Sequence, residues 1–87
     1  MSQREETTAV FQVYSRAGCH LCEVLIEELL ALARGRATVD VRDVDTRDDW
    51  RQEYGLRVPV VELEGRFLCQ FELDRAAIAQ ALRGNAA

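Results

Sequence analysis

Two closely spaced cysteines are the residues best suited to chemistry in this chain. Cys19 and Cys22 enclose two residues in the segment GCHLC. Two thiols at this spacing can close a disulfide, because their Cα atoms can approach within the range of about 4.4–6.8 Å that a disulfide spans. The same pair could instead supply two ligands of a zinc site. Both could also be small core residues, which is a common place for cysteine.

The other candidate ligands give little support to zinc. A structural zinc site has about four ligands, and the chain has no second cysteine pair at this spacing. His20 is adjacent to Cys19 and is poorly placed to bind the same ion, and Cys69 supplies at most a third ligand. We therefore predict no metal site.

Length and composition set limits on the function. The chain has 87 residues, which predicts one domain with a modest core. Its net charge of −4 argues against nucleic-acid binding, which depends on excess cationic side chains. No apolar run approaches the roughly 20 residues of a membrane span, and the first ten residues lack the apolar core of a signal peptide. We expect a cytoplasmic protein, where structural disulfides are rare and close cysteine pairs are more often catalytic or metal-binding.

The apolar pattern predicts alternating strands and helices. Runs of β-branched and aromatic residues predict strands, and apolar residues three and four apart predict amphipathic helices. Gly35, Gly55 and Gly84 are expected to end the helices. The predicted strands are residues 9–15, 37–44, 58–65 and 66–72; the predicted helices are residues 19–34, 45–55 (beginning at Asp45 or Thr46) and 73–84 (beginning at Leu73 or Asp74).

This order predicts an α/β fold with a four-stranded mixed sheet and three helices. The strand–helix–strand unit in the first half requires a parallel pair with a right-handed crossover, and the hairpin in the second half is antiparallel. Residues 1–8 are polar and are predicted to be a disordered leader, and residues 9–84 form the domain. We expect a monomer.

The cysteine pair falls where the first predicted strand passes into the first predicted helix. The free N–H groups and the positive end of the helix dipole face Cys19, which stabilises a thiolate there. Arg16, three residues earlier, adds a positive charge. A close cysteine pair at this place in a βαβ unit is typical of a thioredoxin-like redox motif. The redox interpretation is therefore favoured over zinc and over two core residues.

The chain resembles the glutaredoxin family within the thioredoxin fold, in the order β-α-β-α-β-β-α, and is closest to small bacterial glutaredoxin-like proteins of uncharacterised role. The resemblance covers roughly residues 9–83 and rests on the segments VFQVYS, RAGCHLCE, DVD, YGLRVPVV and LEGRFL. It implies that Cys19 is the nucleophile and that Cys22 resolves the mixed disulfide. It also implies that Arg16 holds a glutathione carboxylate, and that Val58 presents its backbone to the substrate before a cis Pro59.

Departures from the family pattern bear on the substrate. The motif is Cys-His-Leu-Cys where dithiol glutaredoxins have Cys-Pro-Tyr-Cys, and Arg57 replaces the usual threonine before Val-Pro. The Gly-Gly segment that receives the other end of glutathione is replaced by CQFELD, which includes Gln70. We therefore expect no bound cofactor, weak binding of glutathione as a co-substrate, and a protein disulfide as the better substrate. Arg57 and Gln70 are predicted to contact the substrate beside Val58 and Pro59.

The predicted function is that of a glutaredoxin-like thiol–disulfide oxidoreductase. The alternative is a non-catalytic thioredoxin-fold binding module, whose cysteine pair is vestigial or holds a metal or iron–sulfur cluster with a partner chain. His20 is expected to be solvated, and Trp50 and Tyr54 to pack the second helix on the sheet. Cys69 is expected to be a buried small residue; its functional interpretation is a third thiol near the pair.

Overall fold

The computed structural model describes residues 9–86, with side chains for residues 9–84. The predicted leader, residues 1–8, lies outside the described residues. The strands are Ala9–Ser15 (β1), Ala37–Asp43 (β2), Val60–Leu63 (β3) and Arg66–Gln70 (β4), and the helices are His20–Ala33 (α1), Asp48–Tyr54 (α2) and Arg75–Ala86 (α3).

The four strands form one mixed sheet in the order β2-β1-β3-β4. β1 pairs in parallel with β2, and Phe11 lies beside Val39. β1 is antiparallel to β3, and β3 is antiparallel to β4 after the turn at Glu64 and Gly65. The predicted element order and the mixed sheet are therefore confirmed.

The main core lies between one face of the sheet and helices α1 and α3. Alternate residues of β1 point to opposite faces, so Phe11 and Val13 enter this core while Tyr14 faces the other side. Leu25 and Leu29 anchor α1 and are at most 1% exposed. The remaining buried members of the core are Ala9, Ala33, Val61, Leu63, Cys69, Ile78, Ala81 and Leu82.

A smaller aromatic cluster joins α2 to the opposite face of the sheet. The Tyr54 ring stacks on Tyr14 with ring centres 3.8 Å apart, and Trp50 meets Tyr14 edge-on at 5.7 Å. The Tyr54 hydroxyl donates a hydrogen bond to Glu62 of β3. The predicted packing of Trp50 and Tyr54 on the sheet is confirmed, and it fixes the chain that follows α2.

Two predicted helix ends were wrong. Asp45 and Thr46 do not cap α2; they belong to a short 3-10 helix, Val44–Thr46, which Asp43 caps by accepting the Asp45 N–H. The cap residue of α2 is Arg47, whose side chain makes no capping bond. α3 begins after Asp74 as predicted, but it continues past Gly84 to Ala86.

The third and fourth strands are also shorter than predicted. β3 begins at Val60, immediately after Pro59, which has no N–H to donate to a neighbouring strand. β4 ends at Gln70, where Phe71 turns the chain away with a positive φ of 70°. The start of β3 and the end of β4 both lie beside Pro59, since the Phe71 N–H donates to the Pro59 carbonyl at 2.8 Å.

Candidate active site

The two cysteines occupy unequal positions at the start of α1. Cys19 is the cap residue, with extended backbone angles, and its Sγ accepts the Cys22 backbone N–H at 3.2 Å. The two residues form a disulfide, with Cα atoms 5.2 Å apart. Cys19 is half-buried, whereas Cys22 is 2% exposed and packs inward. An external thiol or disulfide can therefore reach Cys19 but not Cys22.

The local sequence explains this geometry. Gly18 adopts a positive φ of 79°, which a residue with a side chain rarely does, and turns the chain from β1 toward the helix. The Cys19 N–H donates to the Arg16 carbonyl at 3.2 Å and closes that turn. Cys19 thus lies at the N-terminus of α1, where free N–H groups stabilise a negatively charged sulfur.

The segment after α2 brings the Val58–Pro59 bond to this end of the sheet. The bond is cis, as the resemblance implies, and Pro59 is buried. Val58 is half-buried and packs against the buried cluster of Tyr14, Val44 and Val60. The hydrogen bond from Phe71 to Pro59 ties the end of β4 to the same segment.

Arg16 is held by groups of the protein itself. Its Nε and Nη2 donate to the two carboxylate oxygens of Asp45 at 2.9 and 3.2 Å, and its Nη1 donates to the Gly55 carbonyl at 3.0 Å. This ion pair holds the pKa of Asp45 below its usual range and raises that of Arg16. Arg16 therefore connects the turn before Cys19 to the turn before Pro59, and Asp45 compensates its charge.

Arg57 and Gln70, both predicted as substrate contacts, are bonded to each other. Arg57 Nε donates to Gln70 Oε1 at 3.1 Å, and Nη1 contacts the Glu53 carboxylate at 3.4 Å. The guanidinium also lies over the rings of Tyr54 and Phe67, 5.6 and 5.7 Å from their centres. Arg57, like Arg16, is thus bonded to groups of the protein itself.

Phe71 lies in this region and was not predicted to contact the substrate. It has a positive φ of 70° and is 43% exposed, although an aromatic residue in that conformation costs about 1–3 kcal/mol. The available signal was its place in the segment that replaces Gly-Gly, since glycine tolerates this conformation. Phe71 lines a surface hollow together with Leu21 and Val24 of α1.

The third cysteine lies in the core. Cys69 is 7% exposed and lies beside Val61 in the β3–β4 pair. Burial raises the pKa of its thiol. The expectation of a buried small residue is confirmed. His20 is exposed, as expected, and among the residues that the structure describes no three His, Cys, Asp or Glu side chains are grouped to hold a metal ion.

Cys69 is accordingly expected to resist alkylation in the folded protein. Iodoacetamide at neutral pH should leave it unlabelled in a reduced sample, and urea should expose it; mass spectrometry of the digest reports both. Because its pKa is raised by folding, the stabilising effect of the buried neutral thiol is complete below the unfolded value of about 8.5 and declines as the pH rises above it. Rapid labelling of native Cys69 would show that β4 opens.

Comparison with known proteins gives the family. A family model described as "Glutaredoxin-like domain (DUF836)" matches residues 10–83. The chain belongs to this glutaredoxin-like family. No curated protein matches it. Among the described residues of this glutaredoxin-like chain, no helix is long and apolar enough to cross a membrane.

Solved structures similar to the glutaredoxin-like chain share its fold. The solution NMR structure of protein Ne2328 from Nitrosomonas europaea is 32% identical, covers 85% of this chain and 91% of its own, and has a TM-score of 0.76. The X-ray structure of protein XcR50 from X. campestris is 28% identical over 85% and 96% of the chains, with a TM-score of 0.66. A mutant thioredoxin from Halobacterium salinarum is 22% identical over 97% and 80%, with a TM-score of 0.65. The glutaredoxin-like chain therefore has the thioredoxin-like fold that its sequence predicts.

Proposed function

We propose that this protein is a thiol–disulfide oxidoreductase. The observation that carries the proposal is the asymmetry of the pair, with an accessible Cys19 at the start of α1 and a buried Cys22 bonded to it. The Cys19 thiolate attacks one sulfur of a substrate disulfide, and the other substrate sulfur leaves as a thiolate that takes up a proton. Cys22 then attacks the Cys19 sulfur and releases the second substrate thiol, so that two electrons pass to the substrate.

A small neutral disulfide tests this activity without any binding site for a large substrate. Bis(2-hydroxyethyl) disulfide, added without oxygen to the reduced protein, should consume two protein thiols and yield the Cys19–Cys22 disulfide, seen by mass spectrometry. Cys69→Ala is the matched control and should behave as the unchanged protein, because Cys69 lies in the core. No consumption of thiols, with iron and sulfide bound to the purified protein, would favour the non-catalytic alternative.

The charges around the pair bear on the substrate class. Asp45 pairs with Arg16, and Glu53 and Gln70 contact Arg57, so a substrate carboxylate competes with groups of the protein for either cation. The contacts of Arg16 and of Arg57 within the protein both support weak binding of glutathione, which carries two carboxylates. We propose that a polypeptide disulfide is the better substrate, with its backbone docking beside Val58 as an added strand.

Removing the charge of Asp45 is expected to shift the preference toward anionic substrates. Asp45→Asn removes the carboxylate that pairs with Arg16 and, at 3.4 Å, with Arg51, so the positive charge of this region increases by one unit. One unit charge at several ångströms near the surface changes a rate by about threefold to tenfold. The ratio of second-order rates with glutathione disulfide and with cationic cystamine should rise by that factor and should fall back at high salt.

A general loss of activity lowers the rates with glutathione disulfide and with cystamine equally, so it leaves their ratio unchanged. Asp49→Asn is the matched control, since Asp49 is exposed and pairs with Arg47 and not with Arg16. If Asp49→Asn raises the ratio as much as Asp45→Asn, only the net charge matters, and the specific role of Asp45 is wrong.

A further inference from the structure

A surface hollow of about 300 Å³ begins at the cysteine motif itself. Leu21, which lies between Cys19 and Cys22 in the sequence, forms part of its wall. The rest of the wall comes from the next turns of α1 and from the chain between β4 and α3. These other lining residues are Val24, Leu25, Glu28, Phe71, Glu72, Leu73 and Arg75.

The hollow gathers large apolar side chains that are left in contact with solvent. Leu21 is 50% exposed, Val24 is 39% exposed, and Phe71 completes the wall from the opposite side. Single exposed apolar residues are ordinary, whereas several of them around a concave surface favour the binding of an apolar group there. The positive φ of Phe71 adds to this, because backbone strain is concentrated at functional sites.

The charges at the rim of the hollow are unbalanced. Glu28 contacts Arg75 across the hollow at 3.5 Å. Glu72 is exposed and has no ion-pair partner within residues 9–84. The rim therefore favours an apolar group with a positive charge beside it. Glutathione fits poorly, because it is an anion without a large apolar side chain.

We propose that this hollow binds a large apolar side chain next to the reactive cysteine of a polypeptide substrate, with a lysine or arginine of that substrate facing Glu72. The proposal rests on the oxidoreductase function proposed above and names the substrate that this function selects. Cys19 attacks the peptide cysteine sulfur, the other half of the substrate disulfide leaves as a thiol, and Cys22 then releases the peptide thiol. Binding in the hollow holds the peptide sulfur close to Cys19 during the attack.

Peptides with a single cysteine, each in mixed disulfide with 2-mercaptoethanol, provide the probe. Leucine is moved through the positions on either side of the cysteine in an alanine and lysine background. At one position leucine is expected to react about tenfold faster with the reduced protein than alanine does, the usual effect of filling an apolar pocket. Equal rates for all peptides would overturn the proposal.

Variants of the hollow locate the effect. Phe71→Gly removes one wall and relieves the positive φ, so it should fold and lose most of the preference for leucine. Glu72→Lys should keep the preference for leucine but slow the lysine-containing peptides relative to matching peptides in which alanine replaces each lysine. Leu30→Ala and Glu27→Lys are the matched controls on the exposed surface of α1, outside the hollow, and should change neither preference.

The small disulfide separates the two claims. If leucine loses its advantage in Phe71→Gly and keeps it in Leu30→Ala, with each peptide rate divided by the rate of bis(2-hydroxyethyl) disulfide with the same variant, the hollow is the binding site. If the small disulfide reacts and no peptide is preferred, the hollow proposal is wrong and the oxidoreductase function stands. If the small disulfide fails to react, the oxidoreductase function is wrong as well.

Discussion

Cys19→Ser should abolish disulfide exchange, lowering the rate by roughly a thousandfold or more, because a serine hydroxyl cannot form a disulfide with the substrate. The partner Cys22 is 2% exposed and cannot replace Cys19 as the attacking group. The measurement is the rate of thiol consumption with bis(2-hydroxyethyl) disulfide.

Cys22→Ser is the informative partner variant. It should still form the mixed disulfide at Cys19, but with no second thiol to resolve it the adduct should accumulate and be visible as a mass increase. Adding glutathione should release the adduct through a monothiol route. Full activity of Cys19→Ser, or an adduct on Cys69 in Cys22→Ser, would contradict the assignment of Cys19 as the attacking thiol.

The second large effect is a loss of stability in α1, the helix that begins at the cysteine pair. Leu29→Ala should lower the free energy of unfolding by about 2–5 kcal/mol, because Leu29 is fully buried between α1 and the sheet and its truncation leaves a cavity. Leu30→Ala should cost less than about 0.5 kcal/mol, because Leu30 is 50% exposed on the same helix. Urea unfolding of the reduced proteins, followed by circular dichroism, measures both.

The two adjacent leucines form a matched pair, because the substitution and the helix are the same. A similar loss for both would mean that helix propensity, and not burial, determines the result. For an 87-residue domain a loss at the upper end of this range is a large share of the total stability. Leu29→Ala should therefore also weaken the position of Cys19 at the start of α1.

The sequence predicts those features that depend on neighbouring residues. The apolar repeat along α1 includes the buried Leu25 and Leu29, but it also includes Leu30, which is 50% exposed. Gly35 ends the helix region with a positive φ of 73°, as its type suggests. The place of Cys19 follows from the positions of β1 and α1, because Cys19 lies where the strand passes into the helix. The last helix was wrongly predicted to end at Gly84, since glycine permits a left-handed turn but does not require one.

The contacts of the site were beyond prediction because they join residues far apart in the chain. Arg16 and Asp45 are 29 residues apart; the family resemblance implied a substrate role for Arg16, and Asp45 was predicted only as a possible start of the second helix. Arg57 and Gln70 were each predicted as substrate contacts without the bond between them. The hollow beside Phe71 depends on how α1 meets the chain after β4 and has no local pattern.

The most direct test of the central claim, that Cys19 and Cys22 are a redox pair with Cys19 as the attacking thiol, is residue-resolved alkylation in glutathione buffers of increasing oxidation. Brief labelling and mass spectrometry should show Cys19 reacting first in the most reducing buffer, because it is the accessible thiol of the pair. As the buffer becomes more oxidising, labelling of acid-quenched samples in urea should show Cys19 and Cys22 becoming oxidised together in one two-electron transition while Cys69 remains a thiol. Faster labelling of Cys22 than of Cys19, or separate transitions for the two cysteines, would contradict the account.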